Sequence, residues 1–242
     1  MGESFQAPGS VPAAPGESGD VLVPPPVAEI DELALTCGSP ARFHPDALRG
    51  RVGAESADHP AAAALRRLLD HDRALRGRQG WYLVALSDTG ALFIVPGRPG
   101  EDIPYWMAEF EKRGDRWTFA RSGQCEIRPS FEGIGQATWT LAPGQPLTPH
   151  TEVINVLVAE LACASGSSPE GRLVPAAAVY QETAIIIIYG VRPLHGPQTC
   201  QAAPAAATRL RLSEPLGDRQ LLDGGVLPPA VRGGPPRDDD DS

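Results

Sequence analysis

Apolar positions along this chain change period near residue 80, from helical spacing to alternation. Before that point Ala64, Leu65, Leu68, Leu69 and Leu75 recur at three- and four-residue intervals, which predicts a helix running to about Arg76. Asp58 stands where an N-cap belongs and Pro60 near the first helical position, a combination that starts helices readily. A short strand over 33–36 is expected to lead into Cys37. Beyond residue 80, the runs 81–86 and 91–95 flank Ser87-Asp88-Thr89-Gly90, and 103–110 and 117–120 flank Gly114-Asp115. Both are hairpin signals. In the second hairpin Trp106, Ala108 and Phe110 fall on one face and Glu109 and Glu111 on the other, the pattern of a half-solvated sheet. One helix lying across an antiparallel sheet is the expected assembly here.

From about residue 137 no helical period appears. Ile154, Val156 and Val158 share a face within 153–163, and the run 179–191 contains Ile185-Ile186-Ile187-Ile188, apolar on both faces as a central buried strand requires. Thr208, Leu210 and Leu212 alternate with Arg209 and Arg211. These strands predict a small antiparallel β-sandwich. The expected fold class is therefore α+β: a helix-on-sheet domain over 31–136 followed by a sandwich domain over 137–228. Residues 1–30, with Pro24-Pro25-Pro26, read as a disordered or polyproline tether, and 229–242 as a disordered acidic tail.

The formal charge of −9 shrinks in meaning once it is placed. Glu3, Glu17, Asp20 and Glu29 sit in the first 30 residues and Asp238, Asp239, Asp240 and Asp241 in the tail; without those eight acids, residues 31–237 carry a net −1. A nearly neutral folded part projects no basic field, so nucleic acid is not an expected partner. No apolar run reaches the ~18 residues of a transmembrane helix, so no membrane span is expected in this chain. Lys112 is the single lysine among 21 basic residues.

Cys37, Cys125, Cys163 and Cys200 fall in neither CxxC nor Cys/His ligand spacings, so structural disulfides are favoured over zinc. Of three connectivities, 37–125 with 163–200 keeps each bridge within one region, and the alternatives tie the regions together twice. In the chain-entropy account such bridges contribute about 4.6 and about 3.8 kcal/mol. Disulfides imply an extracytoplasmic location, cell-envelope associated or secreted; the competing reading is a cytosolic protein with four free thiols. Residues 1–30 lack the charged segment and apolar core of a signal peptide, and the expectation is a leader upstream of Met1.

Several segments carry a resemblance when taken together: Gly53-Ala54-Glu55 with Asp58-His59-Pro60-Ala61; Gly123-Gln124-Cys125 with Arg128-Pro129; Ala162-Cys163-Ala164-Ser165-Gly166; and the eleven residues from Glu214-Pro215-Leu216-Gly217-Asp218-Arg219 to Leu222-Asp223-Gly224. Over roughly 31–228 the chain resembles a group of exported proteins and lipoproteins of high-GC actinobacteria, a family of unknown function. The likeness implies export and a Cys163–Cys200 bridge, and implies no particular activity. The lipobox cysteine of lipoproteins is not visible in this sequence.

Candidate chemistry is thin. There is no GxSxG or SxxK, and Ser165, Ser167 and Ser168 read as a polar loop. His44, His59, His71, His150 and His195 are scattered, and Asp70-His71-Asp72 would point about 100° apart on a helix, which does not suit one ion. No metal or cofactor is expected. Glu109 and Glu111 are better explained by ion pairing with Lys112, Arg113 and Arg116 than as glycosidase carboxylates. Arg113-Gly114-Asp115 matches an adhesion tripeptide but reads as a turn. Gly133 and Gly135 lack the rest of a dinucleotide loop. Within Glu214 to Gly224, Asp218 and Arg219 are expected to form a partly buried lock closing the sandwich.

The leading expectation is a non-enzymatic extracytoplasmic binding or structural module. An envelope protein or a glycan is the kind of partner that fits. Two alternatives stand beside it. One is an envelope hydrolase with a site between the domains, drawn from His150, Glu152 and Asp218. The other is a glycan- or lipid-binding accessory protein using Trp81, Trp106, Trp117 or Trp139.

Overall fold

The computed structural model describes residues 21–27, 32–50, 52–101 and 104–235. It is mostly β, with several largely antiparallel sheets. The first region centres on four strands in sequential order: β3 (Tyr82–Leu86), β4 (Gly90–Pro96), β5 (Tyr105–Arg113) and β6 (Arg116–Cys125). Alternation sends Phe93, Ala108 and Phe110 to one face, where they pack with Ala61, Ala64 and Leu65 of the helix α2 (Pro60–His71). The opposite face is not solvated as the sequence pattern suggested. Leu92, Ile94 and Met107 are buried there against Leu35, Phe43 and Ile127. The short strands β2 (Leu35–Thr36) and β7 (Arg128–Pro129) and the one-turn helix α1 (Asp46–Arg49) belong to that second layer.

The helix is shorter than its apolar period implied. His59, not Asp58, is the N-cap, its Nδ1 accepting from the Ala61 amide at 3.1 Å. The helix ends at His71 because the Asp72 carboxylate accepts from the Ala74 and Leu75 amides at 2.8 and 3.2 Å and turns the chain. Leu75 is fully buried, but from the loop.

The second region is an eight-stranded sheet built around β11 (Ala184–Val191), all of whose residues are buried. The run expected as one strand over 179–191 is two: β10 (Leu173–Tyr180) turns at Gln181 and pairs back antiparallel onto β11. On its other side β11 meets β8 (Gly135–Leu141) at one end and β13 (Gln220–Asp223) at the other. β8 then pairs with β9 (Val153–Glu160), which pairs with β12 (Ala206–Arg211). The β11–β13 pair is parallel, so the region is not the purely antiparallel sandwich that was expected.

Residues 21–27 and 230–233 enter this sheet, within the stretches expected as a tether over 1–30 and a tail over 229–242. β1 (Val21–Leu22) runs parallel to β12, and a few residues later Val27 donates to the Ala178 carbonyl of β10 while Ala178 donates to Pro25, each at 2.9 Å. Residues 21–27 thus join the two strands at the ends of the β12–β9–β8–β11–β10 path. Leu22 packs on the core, Pro24 is buried and Val23 is 58% exposed, which is strand alternation in a proline-rich sequence. At the other end β14 (Ala230–Gly233) pairs with β13. Residues 1–20 and 236–242, the remainder of the expected tether and tail, lie outside the described residues.

The regions also interlock across the expected 136/137 boundary. Leu227 donates to Ile127 at 2.9 Å, Arg128 reaches the Gly225 carbonyl at 2.9 Å, and Leu33 packs with Ala177 and Ile188. The two disulfides are Cys37–Cys125 and Cys163–Cys200, with Cα separations of 5.3 and 4.3 Å. No helix among the described residues is long and apolar enough to cross a membrane.

Candidate functional site

A cleft of about 460 Å³ opens at one end of the four-stranded sheet, where the β3–β4 turn, the β5–β6 turn and the start of α2 converge. Each wall has a local reason. Ser87 Oγ accepts from the Gly90 amide at 3.0 Å, and the Ser87 amide donates to the Gly90 carbonyl at 2.8 Å, fixing the first turn. Gly114, at φ +58°, supplies the left-handed first position of a two-residue hairpin loop. The turns are tied by the Lys112 amide, which donates to the Thr89 carbonyl at 2.8 Å. The turn Ala54–Ser56 that precedes α2 is tied to the start of β3 by Glu55, whose carboxylate accepts from the Gly80 and Trp81 amides at 2.9 and 3.0 Å.

Three of the groups facing this space are uncommitted to the fold. Asp88, Lys112 and Asp115 line the cleft and are exposed, and none makes an ion pair or side-chain hydrogen bond among the described residues. Trp81, Trp106 and Trp139 donate their indole N–H to Arg78, Glu101 and Ile187. The Trp117 indole N–H makes no such bond among the described residues, and Trp117, 9% exposed and packed in the core with Ala61 and Leu65, borders the cleft with its ring centroid 6.0 Å from that of His59. Because His59 Nδ1 caps the helix as an acceptor, neutral His59 carries its proton on Nε2. The cleft therefore offers hydrogen-bond donors and acceptors beside the apolar surface of Leu86, which is 50% exposed.

The Asp218–Arg219 lock expected from the sequence does not form. Asp218 is exposed and has no partner among the described residues. Arg219 instead closes its own turn: it pairs with Glu214, donates to the Pro215 carbonyl and, at 2.8 Å, to Leu216, and lies 5.8 Å from the Tyr180 ring. The buried acid of this motif is Asp223, 1% exposed, which accepts from Thr138 Oγ1 at 2.6 Å, the Trp139 amide at 3.2 Å, the Gly225 amide at 2.8 Å and Arg232 at 2.8 Å. Next to it a Cβ on Gly225 would lie 2.6 Å from the Ala137 carbonyl. Apart from Asp218, the charged residues of the motif are occupied in packing strands and closing its turn.

Other sequence candidates disperse. Glu109 pairs across the strands with Arg121 at 2.7 Å and Glu111 with Arg113 at 3.0 Å, leaving Lys112 free rather than paired. Ser165 bonds Gln198 and accepts from the Thr199 amide, both at 2.9 Å, within the loop joined by Cys163–Cys200. His150, Glu152 and Asp218 are all exposed and share no hydrogen bond. No group of three or more His, Cys, Asp or Glu residues among the described residues is placed to hold a metal ion. A second concavity of about 400 Å³ near Arg78 and Arg98 differs from the cleft, because both guanidinium groups are already bound, to Glu101 and to the Arg76 carbonyl.

Sequence reasoning named His59, Lys112, Asp115 and Trp117 separately and did not bring them together. Each turn and the helix start were legible separately, but their sharing one end of the sheet follows from the strand order. No known protein family, curated protein or solved structure matches the chain.

Proposed function

We propose that this chain is a non-enzymatic extracytoplasmic binding module, secreted or associated with the cell envelope, in which a helix-on-sheet unit carries the ligand cleft and the larger β unit stiffens it. The carrying observation is that three exposed charged side chains, Asp88, Lys112 and Asp115, line a single cleft with no partner among the described residues. Charged and polar groups left unpaired beside apolar surface are the ordinary lining of a ligand pocket. The non-enzymatic reading is supported by Ser87, the only hydroxyl in the lining, whose oxygen is engaged in its own turn rather than with a base. The extracytoplasmic location is supported by the two disulfides and by the resemblance to exported actinobacterial proteins.

The test is co-sedimentation of the purified chain with cell-wall and membrane fractions of a high-GC actinobacterium. Replacing Asp88, Lys112 and Asp115 together by Ala is expected to leave the thermal midpoint unchanged and to abolish co-sedimentation. Equal co-sedimentation of wild type and variant would overturn the proposal.

A further inference from the structure

Resting on that cleft, we infer that its ligand is a neutral carbohydrate, a short oligosaccharide bound by its hydroxyl groups and by one apolar ring face. The first support is charge. One ammonium, Lys112, stands against two carboxylates, Asp88 and Asp115, on opposite turns. A site for phosphate or sulfate would gather several cations, and a site for a polycation would lack the ammonium. Mixed single charges near neutrality suit a ligand that is itself uncharged and densely polar.

The second support is the distribution of donors and acceptors. The carboxylates accept only, Lys112 and the Trp117 indole donate only, and neutral His59 donates from Nε2. A sugar hydroxyl both donates and accepts, so neighbouring hydroxyls can bridge an Asp to a Lys or an indole, which a ligand with one kind of polar group cannot do. The C–H face of a pyranose is apolar and fits against exposed aliphatic surface, here Leu86, while Trp117, 9% exposed and packed in the core, contributes its indole N–H. A volume of about 460 Å³ lies within the ~300–1,000 Å³ of small-molecule sites and accommodates a short oligosaccharide.

The single lysine gives the experiment its reporter. Reductive ¹³C-methylation of the full chain labels only Lys112 and the α-amino group, and Lys112 sits in the cleft. Chitotriose, cellotriose and maltotriose are titrated as neutral probes, with inorganic phosphate and trilysine as charged ones. At least one trisaccharide is expected to move the Lys112 signal saturably, and the double replacement Asp88→Asn with Asp115→Asn is expected to weaken that binding at least about tenfold with an unchanged thermal midpoint. A saturable response to phosphate or trilysine alone would overturn the carbohydrate inference and leave the cleft as a binding site. No saturable response to any probe would overturn both.

Discussion

Arg78 holds Glu101 through two hydrogen bonds, at 3.1 and 2.5 Å, with the arginine side chain only 3% exposed. The same carboxylate accepts from the Arg98 amide at 2.9 Å and from the Trp106 indole at 3.1 Å, and the guanidinium lies 4.4 Å from the Trp106 ring centre. One acid thus gathers the loop after β4 onto the sheet. The Arg78 hydrogen bonds, followed by the Arg98 amide, hold the Glu101 carboxyl at about 2, well below its ordinary 4.5, while partial burial pulls the other way.

A carboxyl that is more acidic folded than unfolded stabilises the fold above its unfolded pKa, and that contribution fades as pH falls toward the folded value. Glu101→Gln is therefore expected to lower stability at neutral pH, and the gap to wild type should close between about pH 4.5 and about pH 2. Denaturant titrations at several pH values check this. A gap that stays constant with pH would mean the clamp does not depend on the carboxylate charge.

Asp218 and Arg219 are adjacent in sequence and opposite in consequence. Asp218→Ala removes no contact and should change stability by less than about 0.5 kcal/mol. Arg219→Ala removes the bonds to Glu214, Pro215 and Leu216 and should cost about 1–2 kcal/mol, with the Glu214 part reduced because that side chain is 52% exposed. Denaturant midpoints with the disulfides intact decide it. An Asp218→Ala cost as large as about 1–2 kcal/mol would restore the Asp218 lock.

What was legible in the sequence is what local pattern controls. Ile154, Val156 and Val158 alternate and do face one core, and the tight Gly114-Asp115 turn sits where two strands required it. The terminal strands were not legible, because Val21-Leu22 and Ala230-Val231 are too short and too rich in Pro and Gly neighbours to differ from linker. Their strand character comes from the exposed edges of β12 and β13, which offer unpaired backbone groups. The buried acid was misassigned for a related reason. Asp218 and Asp223 share one motif, and only the placement of Asp223 two residues after the core residue Leu221 puts it on the inward face. The cleft depends on which turns share a sheet end, a property of topology rather than of any single segment.

The N-terminal strand makes its own prediction through alternation. Leu22 packs against the core of the large sheet and Val23 is 58% exposed. Leu22→Ala should cost about 1–3 kcal/mol for the half-buried side chain, and Val23→Ala less than about 0.5 kcal/mol. Hydrogen exchange adds a second reading: the Val27 and Ala178 amides, which bond across the join, should be protected in wild type and faster in Leu22→Ala. Rapid exchange of both amides in wild type would show that residues 21–27 do not hold the sheet.

The Asp223–Arg232 pair ties the last strand to the core, and its energetics are asymmetric. Asp223 is 1% exposed and Arg232 25%, so removing the acid leaves the Thr138 hydroxyl and the Trp139 and Gly225 amides without this acceptor, while the guanidinium keeps only its bond to Thr138 Oγ1 at 2.9 Å. Asp223→Ala should therefore cost about 3–5 kcal/mol. Arg232→Ala leaves a buried carboxylate still held by Thr138, Trp139 and Gly225 and should cost less. Arg232 Nε is itself buried without a partner, which further lowers the loss on its removal. Because the residues share one network, the double variant should be less damaging than the sum of the two. A full double-mutant cycle by denaturant titration measures this. Strict additivity, or an Asp223→Ala cost below about 1 kcal/mol, would mean that β14 is held by its backbone ladder alone and that the acid is incidental to it.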